Sequence, residues 1–304
     1  MRTSIKKLTA LFKFCGFNIP YLIIIDRIME VRLKTLSENS SELGDFLAEW
    51  GFSILIEAPD ITILFDTGKG HSVLYNADSL NVDLKSIDKI VLSHGHFDHT
   101  GGLRGVLRRI GREIEIIAHP DIWQKKYSKR QNISHYIGIP YSRDELESLG
   151  GKFIFTSDPY RLGDKIITSG EIPMLTDFEE IDPVLFVKDE YGLHPDPLRD
   201  DLSIIINSEK GLIVILGCAH RGIVNTLYHA QKITGNSKIY AVIGGSHLIG
   251  ASDYRLRATV EVLKDLDVER LGLCHCTDMK AINILANEFG ERFFFNRAGS
   301  IIEL

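Results

Sequence analysis

The sequence predicts one large α/β domain, or two tightly merged halves of that class. Three observations carry the expectation. The chain has 304 residues, 44% of them hydrophobic, which suffices for a large buried core. Short β-branched apolar runs alternate with stretches of helical spacing along most of its length. Several of those runs end in histidine, a residue used only 11 times, at the loops where α/β folds place their sites. A net charge of −6 argues against nucleic acid held by bulk electrostatics, while leaving phosphoester substrates open. Four cysteines (Cys15, Cys218, Cys274, Cys276) are too few for a disulfide scaffold and fit a reducing, cytoplasmic setting.

Residues 1–28 form an N-terminal extension ahead of a domain expected over 29–304. The extension has a basic start and an apolar body broken by Lys13, Asn18 and Pro20. It barely reaches spanning length and lacks a small-residue cleavage site. Three readings compete: a reading frame over-extended beyond Met29, an ordered extension, or a weak peripheral anchor. No stable membrane insertion is expected.

From Met29, "VRLKTL" reads as an alternating strand and "SENSSELGDFLAEW" as polar chain with helical spacing towards its end. "GFSILIEA" and "ITILFDTG" are β-branched runs joined by "PD", a hairpin signal. A helix over "HSVLYNADSLN", a buried strand over "SIDKIVLSH", a helix in "GGLRGVLRRIG" and a strand in "EIEIIAHP" follow. Residues 121–163 look least regular, with basic and aromatic residues mixed ahead of a short charged helix. Strands resume at "KIITSGEI", "VLFVKD", "LSIIINSE" and "GLIVILGCAH". The last third alternates strand and helix, ending in a strand over "RFFFNRAG".

The stretch "SHGHFDHTGG" places three histidines and an aspartate within six positions. An extended tip puts His94 and His96 on one side, and the turn into the next helix brings Asp98 and His99 to a second centre. Imidazole and carboxylate suit Zn²⁺, with Mn or Fe as alternatives, and Gly95, Gly101 and Gly102 let the backbone turn tightly. A plain hydrogen-bonded turn explains so dense a cluster poorly. Further ligands are expected at other strand ends: Cys218 and His220, His247, His275 between Cys274 and Cys276, and His119.

The segments "FDTG", "SHGHFDHTGGL", "GCAHRGIVN", "IGGSHL" and "CHCT", in this order, resemble the metallo-β-lactamase fold superfamily. More narrowly they resemble its 7,8-dihydropterin-6-methyl-4-(β-D-ribofuranosyl)aminobenzene-5′-phosphate synthase-like branch, which "ENSSE" and "WGFSILIEA" also resemble. The likeness covers about residues 30–304. It implies a four-layer αββα sandwich with the site at one edge between two sheets. It also implies that His94 and His96 serve a first metal, that Asp98, His99 and His275 serve a second, and that Asp66 orders the histidine loop from behind. The superfamily's usual histidine before the "GC" strand is replaced here by "PLRDDLSIII". His220 is therefore the substitute third ligand, and Cys218 or Asp201 stands near the usual bridging aspartate. One ion or two remains open.

Asp98 is expected to orient water and carry its proton, and His247 to act as an acid of near-neutral pKa or to contact phosphate. Cys274 and Cys276, flanking His275 on a strand, are expected to face away as structural thiols. Lys125, Lys126 and Tyr136 are candidates for a substrate-gripping lid, against a plain solvated loop. His119 is as easily a solvent-facing strand end, and His194 carries no assigned role. The expected function is a metal-dependent hydrolase acting on a small, phosphorylated molecule. The alternatives are a pterin-pathway transferase, which needs a dihydropterin pyrophosphate and an aminobenzene partner, and a redox or non-catalytic metal binder. The partner in the first two cases is a small molecule; the oligomeric state is left open.

Overall fold

The computed structural model describes residues 31–131 and 133–304, so the expectations for residues 1–28 and the start at Met29 lie outside it. In chain order the elements begin with β1 (Arg32–Ser37), β2 (Ser53–Glu57), β3 (Thr62–Phe65), α1 (Ser72–Ser79) and β4 (Lys89–Val91). They continue with α2 (Phe97–Thr100), α3 (Leu103–Ile110), β5 (Ile114–Ala118), β6 (Lys125–Arg130), β7 (Ile133–Tyr136), α4 (Arg143–Ser148) and β8 (Gly151–Phe155). β9 (Ile166–Thr168), β10 (Leu185–Asp189), β11 (Gly192–Pro195), β12 (Ser203–Ser208), β13 (Gly211–Leu216) and α5 (Ile223–Thr234) follow. The last are β14 (Ile239–Gly245), α6 (Asp253–Asp265), β15 (Arg270–Cys274), α7 (Asp278–Phe289) and β16 (Ile301–Glu303).

Period-two alternation decides the layering. Along β2 and β3, Ile54, Ile56, Ile63 and Phe65 enter the core between the sheets, while Leu55 and Leu64 face α1 and α3. β12 and β13 repeat this: Ile204, Ile206, Ile213 and Ile215 point inward, and Ile205, Val214 and Leu216 pack under α5 and α6. Each buried Leu or Ile contributes about 1.5–3 kcal/mol. The only low-energy stacking of two such sheets is helices, sheet, sheet, helices, the αββα sandwich expected. The first sheet runs β16-β1-β2-β3-β4-β5-β8 and the second β15-β14-β13-β12-β9. β3-β4-β5 and β13-β14-β15 are parallel, so their C-terminal ends gather at one rim, and the histidines lie in the loops that leave it. Among the described residues no helix is long and apolar enough to cross a membrane.

Three local expectations fail. Residues 38–51 make bends rather than a helix, because Gly44 (φ 118°) and Gly51 (φ 143°) break the chain. Asn76 then ties the segment down, its amide donating to the carbonyls of Leu36 (2.8 Å) and Leu47 (2.8 Å). Residues 125–136 form the β6–β7 hairpin of a separate sheet, β11-β10-β6-β7. The run "KKYSKR" has no apolar face to read, so its strand character comes from pairing with β10. "RFFFNRAG" holds two isolated bridges, Leu271 to Phe293 and Ser41 to Ala298, and no strand.

Candidate metal centre

The loop after β4 and the short α2 carry the first half of the centre. His94 Nε2 stands 2.9 Å from His96 Nδ1. From the second sheet, the loop after β13 brings His220 Nε2 to 3.2 Å from His94 Nε2. Two nitrogens bound tetrahedrally to one zinc lie about 3.3 Å apart, so this convergence has the spacing of a ligand set. The second half follows: His99 Nε2 lies 3.2 Å from His275 Nε2 and 3.1 Å from Cys218 Sγ, and Asp98 Oδ2 lies 3.5 Å from His275 Nε2. Cys218 belongs to both groups, with His94 and His220 on one side and His99 and His275 on the other, and it stands between them. Asp201 belongs to neither: one oxygen accepts the Arg221 N–H at 2.8 Å and the other has no partner.

Buried carboxylates hold the first half in place. Asp66 accepts the Ser93 N–H (2.7 Å) and hydroxyl (2.7 Å), and meets His99 Nδ1 at 2.6 Å. The Ser93 hydroxyl also reaches His94 Nδ1 at 2.8 Å, so one carboxylate orients two rings. Asp200 accepts the Gly95 N–H at 2.8 Å and the Lys126 ammonium at 2.8 Å. On the other side, His275 Nδ1 meets Asn39 Oδ1 at 3.0 Å, and the His275 N–H donates to Glu38 at 2.8 Å. Asp66 (φ 59°), Ala219 (φ 49°), His247 (φ 42°) and His275 (φ 54°) all take left-handed backbone, which side chains other than glycine rarely adopt and which clusters at functional sites.

The electrostatics at His94, His96, His220 and Asp98 suit a cation. Burial, helped by neighbouring imidazoles, holds His94 and His220 well below the usual histidine pKa, and burial beside Lys126 lowers His96 to about 3. All three are neutral donors at neutral pH. Burial opposes ionisation of Asp98, yet its bond to His275 and the nearby imidazoles hold it below the carboxylate range. Burial likewise opposes protonation of His99, and Asp66 overrides it, raising the pKa to about 9. Burial pushes the Cys218 thiol up, whereas Cys276 is drawn well below the thiol range against its own burial, by Cys218 and His247.

Several expected residues fall elsewhere. Lys126 is not a substrate contact: fully buried, it pairs with Asp196 (2.8 Å) and Asp200 (2.8 Å) and so braces the histidine loop. Lys125 and Tyr136 are on the exposed hairpin, where the Tyr136 hydroxyl donates to Ile139 O at 3.0 Å. Cys276 does not face away, because His275 opens a 3₁₀ turn and strand alternation ends there; its sulfur meets the His247 N–H at 3.2 Å. Cys274 does, bonded to Asn296. His247 stacks beside His220, ring centroids 4.1 Å apart, with Nε2 3.6 Å from Asp182. Burial opposes its charge but Asp182 and Cys276 prevail, raising it to about 9 rather than near neutrality. His119 is buried and bonded to Glu171 and Asp121 rather than to any residue of the centre, and His194 on β11 pairs with Asp189 on β10. Trp50 is an unforeseen member: 45% exposed at the rim, it donates to Asp98 Oδ2 at 2.9 Å and lies 5.2 Å from the His275 ring.

Residues 51–275 match the family model described as the metallo-beta-lactamase superfamily. The chain belongs to the metallo-beta-lactamase superfamily. Within that superfamily it is 38% identical over 292 residues to the 7,8-dihydropterin-6-methyl-4-(beta-D-ribofuranosyl)-aminobenzene-5′-phosphate synthase of Methanocaldococcus jannaschii, covering 93% of this chain and 99% of that one. An uncharacterized protein of the same organism is 34% identical over 270 residues, 89% and 99% of the two chains. Among solved structures, Tm1679, described as a metal-dependent hydrolase of the beta-lactamase superfamily, superposes with a TM-score of 0.77 at 29% identity, over 90% and 99% of the chains. The chain is therefore a metal-dependent enzyme of the metallo-beta-lactamase superfamily, and the purely binding alternative falls away.

Proposed function

We propose that this enzyme is a pterin-pathway transferase that joins a dihydropterin to an aminobenzene ribofuranosyl phosphate. The observation that carries the reading is the 38% identity to the synthase, running through 99% of that relative's length. In the reaction the aminobenzene nitrogen bonds to the pterin methylene carbon, pyrophosphate leaves, and one amine proton is released. We assign His94, His96 and His220 to one ion and Asp98, His99 and His275 to a second, with Cys218 between them. The nitrogen and sulfur donors favour zinc over magnesium or calcium. Such an ion, when bound, supplies Lewis acidity at the departing phosphate. His247, beside His220 and with Asp182 3.6 Å from its Nε2, is assigned to meet the leaving anion. Asp98 stays ionised, so its role is to orient the amine by accepting a hydrogen bond, and the released proton passes to water. The half-exposed Trp50 indole offers a flat wall for an aromatic ring.

The test is incubation of the zinc-loaded chain with dihydropterin pyrophosphate and the aminobenzene ribofuranosyl phosphate, with product read by mass spectrometry. Condensation lost on chelation and in His96→Ala supports the transferase. The likeness to Tm1679 favours a second reading, metal-dependent hydrolysis of a small phosphoester. Turnover of a chromogenic phosphodiester without any condensation moves the assignment there.

A further inference from the structure

Between the Lys69–His71 loop and α3 lies a cavity of about 400 Å³, lined by Lys69, His71, Arg104, Arg108, Tyr141 and four glycines. No carboxylate lines it, and neither does any residue of the metal centre. In a chain of net charge −6, four basic side chains around one concavity run against the overall balance. The nearest acids are already engaged. Glu49 accepts the N–H groups of Gly70 (3.2 Å), His71 (3.0 Å) and Ser72 (3.0 Å), and Glu145 takes one edge of Arg104 at 3.2 Å. Among the described residues, Lys69, His71 and Arg108 have no carboxylate partner.

The cavity is also ordered in advance. The Arg104 guanidinium lies 4.3 Å over the Tyr141 ring, and the Tyr141 hydroxyl donates to Gly101 O at 2.6 Å. A side chain at Gly101 would collide with the Lys69 carbonyl, and one at Gly51 with both Asp98 O and Lys69 N. The walls of the cavity and the metal-binding loop thus share a single close-packed backbone layer. Arginine and lysine held over bare glycine backbone are the chemistry that recognises phosphate oxygens.

We propose that this cavity is a second binding site, distinct from the metal centre, for a phosphate or pyrophosphate group. The group belongs either to the substrate of the metal centre, an arm that rests on the proposed transfer, or to a separate phosphorylated small molecule.

The experiment is calorimetric titration of the full chain with inorganic pyrophosphate, with metals removed by chelator and His247→Ala present throughout, so that the metal centre cannot take the anion. In that background the otherwise unaltered chain and His94→Ala are expected to bind alike, and Lys69→Glu/Arg108→Glu at least tenfold more weakly. Both replaced side chains are exposed, and circular dichroism checks that the double variant keeps its fold. Absence of binding, or binding equal in the double variant, overturns the proposal whatever the enzyme's reaction proves to be. The source is separated by KM in the zinc-loaded enzyme. A tenfold rise for the phosphorylated aminobenzene, absent for its dephosphorylated form, assigns the site to substrate. An unchanged KM beside lost pyrophosphate binding assigns it to a separate ligand.

Discussion

The two halves of the metal centre are built by different means. The first-sheet half packs His94, His96, Asp98 and His99 into one loop and locks it with buried charge: Asp66 behind two rings, and the Lys126–Asp200 pair behind Gly95. The second-sheet half gathers Cys218, His220, His247 and His275 from three separate strand ends. It holds them with left-handed backbone at Ala219, His247 and His275, with Asn39 and Glu38 on His275, and with Asp182 beside His247. The first half is stiff because breaking it strands a charge. The second is stiff because its backbone is caught in strained wells by the packing around it.

That contrast can be broken by mutation, beginning with the largest effect. His96→Ala is expected to abolish turnover and lower metal retention, read by activity and metal analysis. Lys126→Met leaves Asp196 and Asp200 as unpaired buried carboxylates and is expected to cost about 3–5 kcal/mol in urea unfolding. An unchanged midpoint would remove the charge-locked account of the first half. Asp66→Asn should fold and lose about 10–100-fold in metal affinity by competition with a chromogenic chelator. Trp50→Phe keeps the ring but removes the donor to Asp98, and about a tenfold fall in kcat is expected from one charge-assisted bond. Smallest of all, Ala219→Gly should raise stability by about 0.5–1 kcal/mol, relief of left-handed strain less the added chain entropy. A loss there would argue that strain is not stored in the second half.

Legibility followed the same division. "SHGHFDH" announces its chemistry because its ligands are neighbours in sequence, and the αββα layering is legible through the resemblance its motifs carry; the unbroken apolar runs Ile204–Ile206 and Ile213–Ile215 announce buried strands but not which face meets which layer. Lys126 was misread, since nothing local reveals that a lysine in a charged run will be met by two aspartates some seventy residues on. Cys276 was misread because alternation was extended two residues past the end of β15. Trp50 sits in a segment whose form is dictated by Asn76 and by glycine conformations, so no periodicity points to it.

β16 closes the edge of the first sheet beside β1, pairing Arg32 with Glu303 across 271 positions, and the bonds from Glu38 and Asn39 to His275 span 237 and 236. Contacts of such span form late and slowly. During refolding the His94–His99 loop therefore gathers metal-binding side chains well before His275 arrives. Zinc added early should hold the chain in half-made states, and zinc added after folding should give the higher yield of active enzyme.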